Sequence, residues 1–235
     1  MEERFSRTAL IIGEEALEKL RASRVAVFGV GGVGSFAAEA IARMGVGNIT
    51  LIDNDIVAPS NLNRQLIALH STLGRNKVDV AKERILDINP DAVVDARAMF
   101  YLPENADEID VSSFDCIVDA IDTVSAKIEL IVRASRAGVP VVSSMGTGNK
   151  LHPEMLELTD ISKTSVCPLA RVMRRELKAR GITRLPVVYS KEEPVKLHED
   201  VFLPNGKKTV GSISFVPSSA GLLIASKVLE LLTSK

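Results

Sequence analysis

The chain has 235 residues, 46% of them hydrophobic, with 29 basic and 30 acidic side chains and a formal net charge of -1. That composition excludes disorder and leaves room for one sizeable core, or a core with a small attached lobe. The near-neutral balance excludes whole-molecule attraction to nucleic acid or to an anionic membrane, so any such binding has to come from a local patch. Two cysteines, Cys116 and Cys167, with no C-x-x-C pair, exclude a disulfide framework and a tetrathiolate zinc site and point to a reducing compartment.

The opening MEERFSRTALIIGEE begins with charges and lacks the apolar core of a signal peptide. No apolar run approaches the roughly 18 residues of a membrane span, and both features point to the cytoplasm. Residues 8–22 predict one amphipathic helix with Ile11, Ile12, Ala16, Leu17 and Leu20 on its apolar side. RVAVFGV then predicts a buried strand, VGSFAAEAIARM a helix rich in small residues and NITLIDN a second strand, with Gly45 and Gly47 as helix stops. Residues 74–89 carry helical periodicity that stops at Pro90, and DAVVDARAMF alternates like a strand. DCIVDAI, the helical VSAKIELIVRASRAG and PVVSSMG repeat the alternation.

About 146 residues therefore predict an α/β fold: a Rossmann-like, doubly wound, mainly parallel sheet. Beyond Gly148 the texture changes. MLELTDI and PVVYSKE predict extra strands, Pro194, Pro204 and Gly206 mark a charged surface loop, and SAGLLIASKVLELLTSK predicts a helix that returns to cover the sheet. The expected divisions are 1–148 for an N-terminal helix plus nucleotide-binding core, 149–216 for a smaller substrate region of strands and helices, and 217–235 for the returning helix.

Gly29, Gly31 and Gly34 satisfy G-x-G-x-x-G between strand and helix, and Asp53 follows the last glycine by 19 residues, as a ribose-binding acid would. A dinucleotide site looks the same, so this motif leaves the nucleotide open. The following DNDIVAPSNLNRQ narrows the choice. A second carboxylate, Asp55, and the polar Asn61, Asn63, Arg64 and Gln65 stand beside a loop that already offers backbone N–H groups to phosphate, a set that suits a triphosphate. Attack on an α-phosphate expels pyrophosphate, and fixed cations stabilise the charge that builds there; Arg64 and Lys77 are the candidates. Asp122, at the C-terminal end of the strand DCIVDAI, stands where open sheets bind ligands and is the candidate Mg²⁺ ligand.

G-x-G-G-x-G-S, D-x-D with S-N-L-N-R-Q, G-R-N-K and D-A-I-D together resemble the ThiF, MoeB and ubiquitin-activating superfamily of adenylating enzymes; Gly32 and Ser35 belong to that pattern. The resemblance covers at least residues 4–146. It implies that the glycine loop and Asp53 bind ATP, that Asn61, Arg64 and Lys77 contact its phosphates, and that Asp122 coordinates Mg²⁺. It implies a reaction in which a carboxylate and ATP give an acyl-adenylate and pyrophosphate. It also implies a homodimer in which an N-terminal arginine reaches the other subunit's ATP; RFSR makes Arg7 the first candidate and Arg4 the fallback.

Members that activate small sulfur-carrier proteins often carry two C-x-x-C pairs, which this chain lacks. SSMGTGNKLHPE, KTSVCPLARVMRRELKARGI, VVYSKEEP and GSISFVPSSAGLLIASKV resemble the tRNA threonylcarbamoyladenosine dehydratase branch and extend the likeness over essentially the whole chain. That branch implies activation of the threonine carboxylate of the modified adenosine, then intramolecular attack to give a cyclic oxazolone. Adenylation of a ubiquitin-like sulfur carrier is the alternative, a non-catalytic nucleotide-sensing scaffold the third, and a sulfur-transfer protein a further partner left open.

Independently of the resemblance, RVMRRELKARGITR sets Arg171, Arg174, Arg175, Lys178, Arg180 and Arg184 against Glu176 alone, a local basic patch suited to RNA phosphates. The plainer alternative is a solvated helix with Leu169, Val172, Met173 and Leu177 inward. Arg171, Arg174, Arg175 and Lys178 are the candidate tRNA contacts. Cys167, beside a predicted helix start, is read as a small residue near a cap and not as an essential nucleophile, and Cys116 as core. His70, His152 and His198 lack ligand partners at helical offset. Lys127, one turn past Asp122, is read as either a nucleotide contact or a salt-bridging lysine.

Overall fold

The alternating apolar runs become strands because each has two faces to bury. In a computed structural model, which describes residues 3–199, 202 and 209–234, they are β1 (Arg24–Phe28), β2 (Asn48–Ile52), β3 (Val93–Arg97), β4 (Cys116–Asp119), β5 (Val141–Ser144), β6 (Leu156–Asp160) and β7 (Pro186–Ser190). On β1, Val25 and Val27 face one layer and Ala26 and Phe28 the other, and all four are fully buried. That is the two-residue period of a strand covered on both sides. The seven strands form one sheet in the order β3-β2-β1-β4-β5-β7-β6. Every pairing is parallel except β6 with β7.

The helices are α1 (Ser6–Ile12), α2 (Glu14–Ala22), α3 (Gly34–Arg43), α4 (Lys77–Ile88), α5 (Val124–Ala137), α6 (Pro168–Lys178) and α7 (Phe215–Thr233). One face of the sheet is covered by α3, α4 and α7 through Ala37, Ile41, Val78, Ile224 and Val228. The other is covered by α5 and α6 through Leu130, Ile131, Met173 and Leu177. Each helix thus commits one apolar stripe to the core.

Three expectations change. The single helix over 8–22 is two, because Gly13 at φ +84° breaks it; Leu17 and Leu20 stay buried while Leu10 and Ile11 turn outward, 84% and 87% exposed. The strands of 149–216 do not form a separate lobe: β7 pairs with β5 and β6 with β7, so both extend the main sheet. The C-terminal helix starts at Phe215, and with a mean hydropathy of 1.5 it is long and apolar enough by composition to cross a membrane, where no such run was expected. In the fold its Val216, Ala220, Ile224 and Val228 are fully buried. Pro194 lies in irregular chain; Pro204 and Gly206, placed in the same expected loop, lie outside the described residues.

Candidate active site

The chain leaves β1 for β2 and β3, then returns to the opposite side of β1 as β4. The crevice beyond the carboxyl ends of strands at such a reversal is where open α/β sheets bind ligands. Here it holds a cavity of about 810 Å³ lined by Gly29, Gly31, Gly32, Asp53, Asp55, Asn61, Arg64, Gln65, Lys77 and Asp122. The nucleotide candidates named from the sequence meet on its wall, with Gly34 just behind it.

The glycine loop is shaped by contacts that tolerate no side chain. A Cβ on Gly34 would sit 1.7 Å from the Gly29 carbonyl oxygen, so only glycine lets α3 start this close to the end of β1. Ser35 donates to the Gly31 carbonyl at 2.6 Å and accepts from the Leu66 N–H at 3.3 Å, tying the loop to the N-L-N-R-Q turn. Asp53 accepts from the N–H groups of Val30 at 2.6 Å and Asp55 at 2.8 Å, and so holds the glycine loop against the end of β2.

Lys77 opens α4, is buried, and reaches Asp55 at 2.6 Å; the Asp55 side chain itself is 58% exposed. Asn61 is buried and accepts from the Ala58 N–H at 3.0 Å, which makes it a brace of its turn. Arg64 donates to the Ser60 carbonyl and to Asn63, both at 2.9 Å, and Asn63 donates to the Ser212 carbonyl at 3.0 Å. Gln65 is a buried residue of the cavity wall whose Oε1, an acceptor, has no hydrogen-bond donor among the described residues. Asp122 is exposed at the cavity rim, where it accepts from Thr123 Oγ1 at 3.4 Å. Lys127 does not line the cavity: it is fully buried on Asp119 at 2.9 Å.

Parts of the wall were not singled out from the sequence as site elements. Ser144 to Gly148 continue β5 into the cavity, and Val210 to Ser212 close over it through the Asn63 and Asn149 bonds. The position of SSMGTG at a strand's carboxyl end was a usable signal; the approach of Val210 was not, being set by contacts more than 60 residues apart. Tyr101 also lines the cavity, with its hydroxyl bonded to no described residue and its ionisation pushed up to about 12 by burial.

Outside the cavity the candidates separate. On α6 the inward stripe is Ala170, Met173 and Leu177, while Leu169 faces the cavity. Arg174 is turned inward, donating to the Thr164 carbonyl at 2.7 Å and its hydroxyl at 2.5 Å, which removes it from the exposed row. Arg175 and Arg180 both pair with Glu176 at 2.8 and 3.1 Å, and their hydrogen bonds hold that carboxyl below its ordinary value. Arg171 and Lys178 are exposed. Cys167 is buried behind Gly146 and off the cavity wall. Cys116 is core, its thiol pushed up to about 12 by burial. Arg4 is engaged with Asp91, whereas Arg7 is exposed and away from its own chain's cavity.

A glycine loop, a strand-end acid and paired Arg and Lys side chains at the reversal point of a parallel sheet define a nucleotide-binding protein of the Rossmann type. The chain belongs to the ThiF family, which residues 5–235 match. It is 46% identical over 234 residues to the tRNA threonylcarbamoyladenosine dehydratase of Bacillus subtilis, an alignment covering 95% of this chain and 92% of that one. The Escherichia coli tRNA N6-threonylcarbamoyladenosine dehydratase crystallised with AMP superposes with a TM-score of 0.90 at 35% identity, over 99% of this chain and 94% of that one. The same enzyme with ATP gives 0.89 at the same identity and coverage.

Proposed function

We infer that the chain is an ATP-dependent dehydratase acting on threonylcarbamoyladenosine in tRNA. The observation that carries this reading is the convergence of loops from β1, β2, α4, β4 and β5 on one cavity, in a chain aligned almost end to end with relatives bearing that name. The threonine carboxylate attacks the α-phosphorus of ATP, forming the acyl-adenylate and releasing pyrophosphate. The carbamoyl oxygen then attacks the activated carbonyl carbon and expels AMP, closing an oxazolone ring with net loss of one water. Because the second nucleophile is tethered to the first product, no further substrate has to be captured for ring closure.

In this reading the glycine loop N–H groups receive phosphate, Asp53 the ribose, and Arg64 and Lys77 the negative charge that grows on the departing pyrophosphate. Charge bookkeeping favours help from outside the wall. Among the described residues the cavity is lined by two cations, Arg64 and Lys77, against three carboxylates, Asp53, Asp55 and Asp122, too little positive charge for a triphosphate. Mg²⁺ fits here: it takes one or two carboxylates plus phosphate oxygens, and Asp122 is exposed at the rim while Asp119 is committed to Lys127. Asp122 would hold the ion, and the ion would supply positive charge against the phosphates.

A second cation comes from dimerisation: Arg7 of one protomer serves the cavity of its partner. The exposed Leu10 and Ile11 beside it give that contact its apolar cover. Mixing an Arg7→Ala protein with a Lys77→Ala protein restores activity through the one intact composite site of the mixed dimer; no recovery, or full activity of Arg7→Ala alone, overturns the arrangement. Arg171, Arg175 and Lys178 contact the tRNA backbone, and the enzyme works in the cytoplasm.

The deciding experiment incubates the protein with ATP, Mg²⁺ and tRNA carrying threonylcarbamoyladenosine, then measures the nucleoside mass. Loss of one water is expected. No loss with competent tRNA, or pyrophosphate exchange driven only by a Gly-Gly-ended carrier protein, replaces this reading with the sulfur-carrier one.

A further inference from the structure

Lys127 sits in the second turn of α5 with no solvent exposure; its ammonium donates to the Ser144 carbonyl at 2.8 Å and the Ile121 carbonyl at 3.1 Å and forms an ion pair with Asp119 Oδ2 at 2.9 Å. Asp119 is equally buried and also accepts from Ser143 Oγ at 2.5 Å and the Ile121 N–H at 3.3 Å. Stability alone does not call for this arrangement. Burying two charges costs several kcal/mol per ion before pairing, and well-packed apolar side chains of similar volume often serve a core as well or better. A cation near the N-terminal end of α5 also opposes the helix dipole.

What the ammonium does is join two strand ends. The β4–β5 ladder finishes at Asp119 opposite Ser143. Beyond it the chain ends separate into two loops, and Lys127 binds one carbonyl from each. Ile121 immediately precedes Asp122, and Ser144 immediately precedes the Met145–Gly148 stretch, so both loops on the cavity wall begin at carbonyls this one ammonium holds, the Met145 N–H being held in addition by the Val188 carbonyl at 2.8 Å. Without it the two carbonyl oxygens lose the cation between them.

We propose that Lys127 is a positioning residue, clamping the loops after β4 and β5 at the separation needed for Asp122 and Met145–Gly148 to work on the same substrate. The proposal deepens the adenylation reading and rests on it for the catalytic consequence. The glycine loop, Asp53, Arg64 and Lys77 hang from other elements, so nucleotide binding and turnover respond differently to loss of the clamp.

The test compares wild type with Lys127→Met. Because that change strands Asp119 in the core, Lys127→Met combined with Asp119→Asn removes both charges and keeps an acceptor for Ser143. Each protein is measured three ways: ATP titration calorimetry without metal, steady-state tRNA dehydration, and amide hydrogen exchange. In the charge-free double variant, ATP binds with unchanged stoichiometry and an affinity within about two-fold. Its kcat falls roughly 10- to 100-fold, the range for losing a group that orients another. Amides at 122–123 and 146–148 exchange at least about ten-fold faster while those at 30–35 do not. Full turnover, or unchanged exchange at both loops, overturns the proposal. If the wild type leaves tRNA untouched, the functional reading falls, and the exchange and binding data still decide for or against the clamp.

Discussion

Two lysine–aspartate pairs of similar length stand at the same end of the sheet. Lys77 and Asp55 meet at 2.6 Å with the carboxylate more than half exposed at the cavity; Lys127 and Asp119 meet at 2.9 Å with neither side chain accessible. Identical chemistry therefore has two uses. The first pair can trade its partner for an incoming phosphate at little cost, because water reaches the carboxylate left behind. The second cannot open without stranding a charge in the core, so it behaves as part of the scaffold.

Breaking each pair makes the contrast measurable. Asp119→Ala leaves Lys127 buried and uncompensated, and is expected to cost about 3–5 kcal/mol in urea unfolding; a loss below 1 kcal/mol would place both pairs in one class. Lys77→Met should leave unfolding within about 1 kcal/mol of wild type while lowering kcat by roughly 100- to 1000-fold, the usual effect of removing one donor from developing charge. A folded, fully active Lys77→Met protein would remove the lysine from the chemistry.

Glu39 on α3 lies between the two cases, its side chain 14% exposed and bound by Arg84 and by Arg43 at 2.8 Å. Burial works against its ionisation, but hydrogen bonds from Arg84 and Arg43 outweigh that and hold the carboxyl below its ordinary value of 4.5. A lowered folded-state value stabilises above the unfolded value and is lost as pH falls through the folded one. Glu39→Gln should therefore cost about 1 kcal/mol at pH 7 and nothing at a pH below the folded value, read as convergence of the two urea midpoints. Curves that stay parallel down to that acid limit would contradict this sign.

The smallest effects are expected on α6, where the same contrast separates Arg174 from Arg171. Arg174→Ala should lower stability by about 1–3 kcal/mol through its lost bonds to Thr164 and leave the salt dependence of RNA binding alone. Arg171→Ala should leave stability alone and reduce the slope of log affinity against log salt by about 1. Fluorescence anisotropy with the same tRNA at several salt concentrations separates them, and equal slopes for both variants would put the RNA elsewhere.

Much of this was legible in the sequence because short-range rules set it. Strands buried on both faces are written as unbroken apolar runs, and the glycine spacing is dictated by contacts such as Gly34 against Gly29. What escaped is what depends on distant partners. Nothing local in PVVYS says that it will pair with β5 and carry β6 outward. The Gly13 break was readable as a residue type and was outweighed by the periodicity on either side. Arg174 is the clearest lesson: it is one turn from Ala170 and next to Met173, so helical spacing already put it at the edge of the inward stripe, while composition made it look like one more surface cation. Lys127 carries no local mark of burial, and Asp119 only the apolar run around it.

The apolar helix α7 has a consequence for how the protein is made. It is the last of the described elements to leave the ribosome, and it covers the face of the sheet formed by β4, β5, β6 and β7. Until about residue 228 has emerged, Val118, Val142 and Val188 lack the cover of α7 on that side, since all three belong to the layer that α7 completes. Nascent chains stalled before Phe215 should accordingly bind chaperones and aggregate, whereas chains that include α7 complete the fold in a step that seals the sheet.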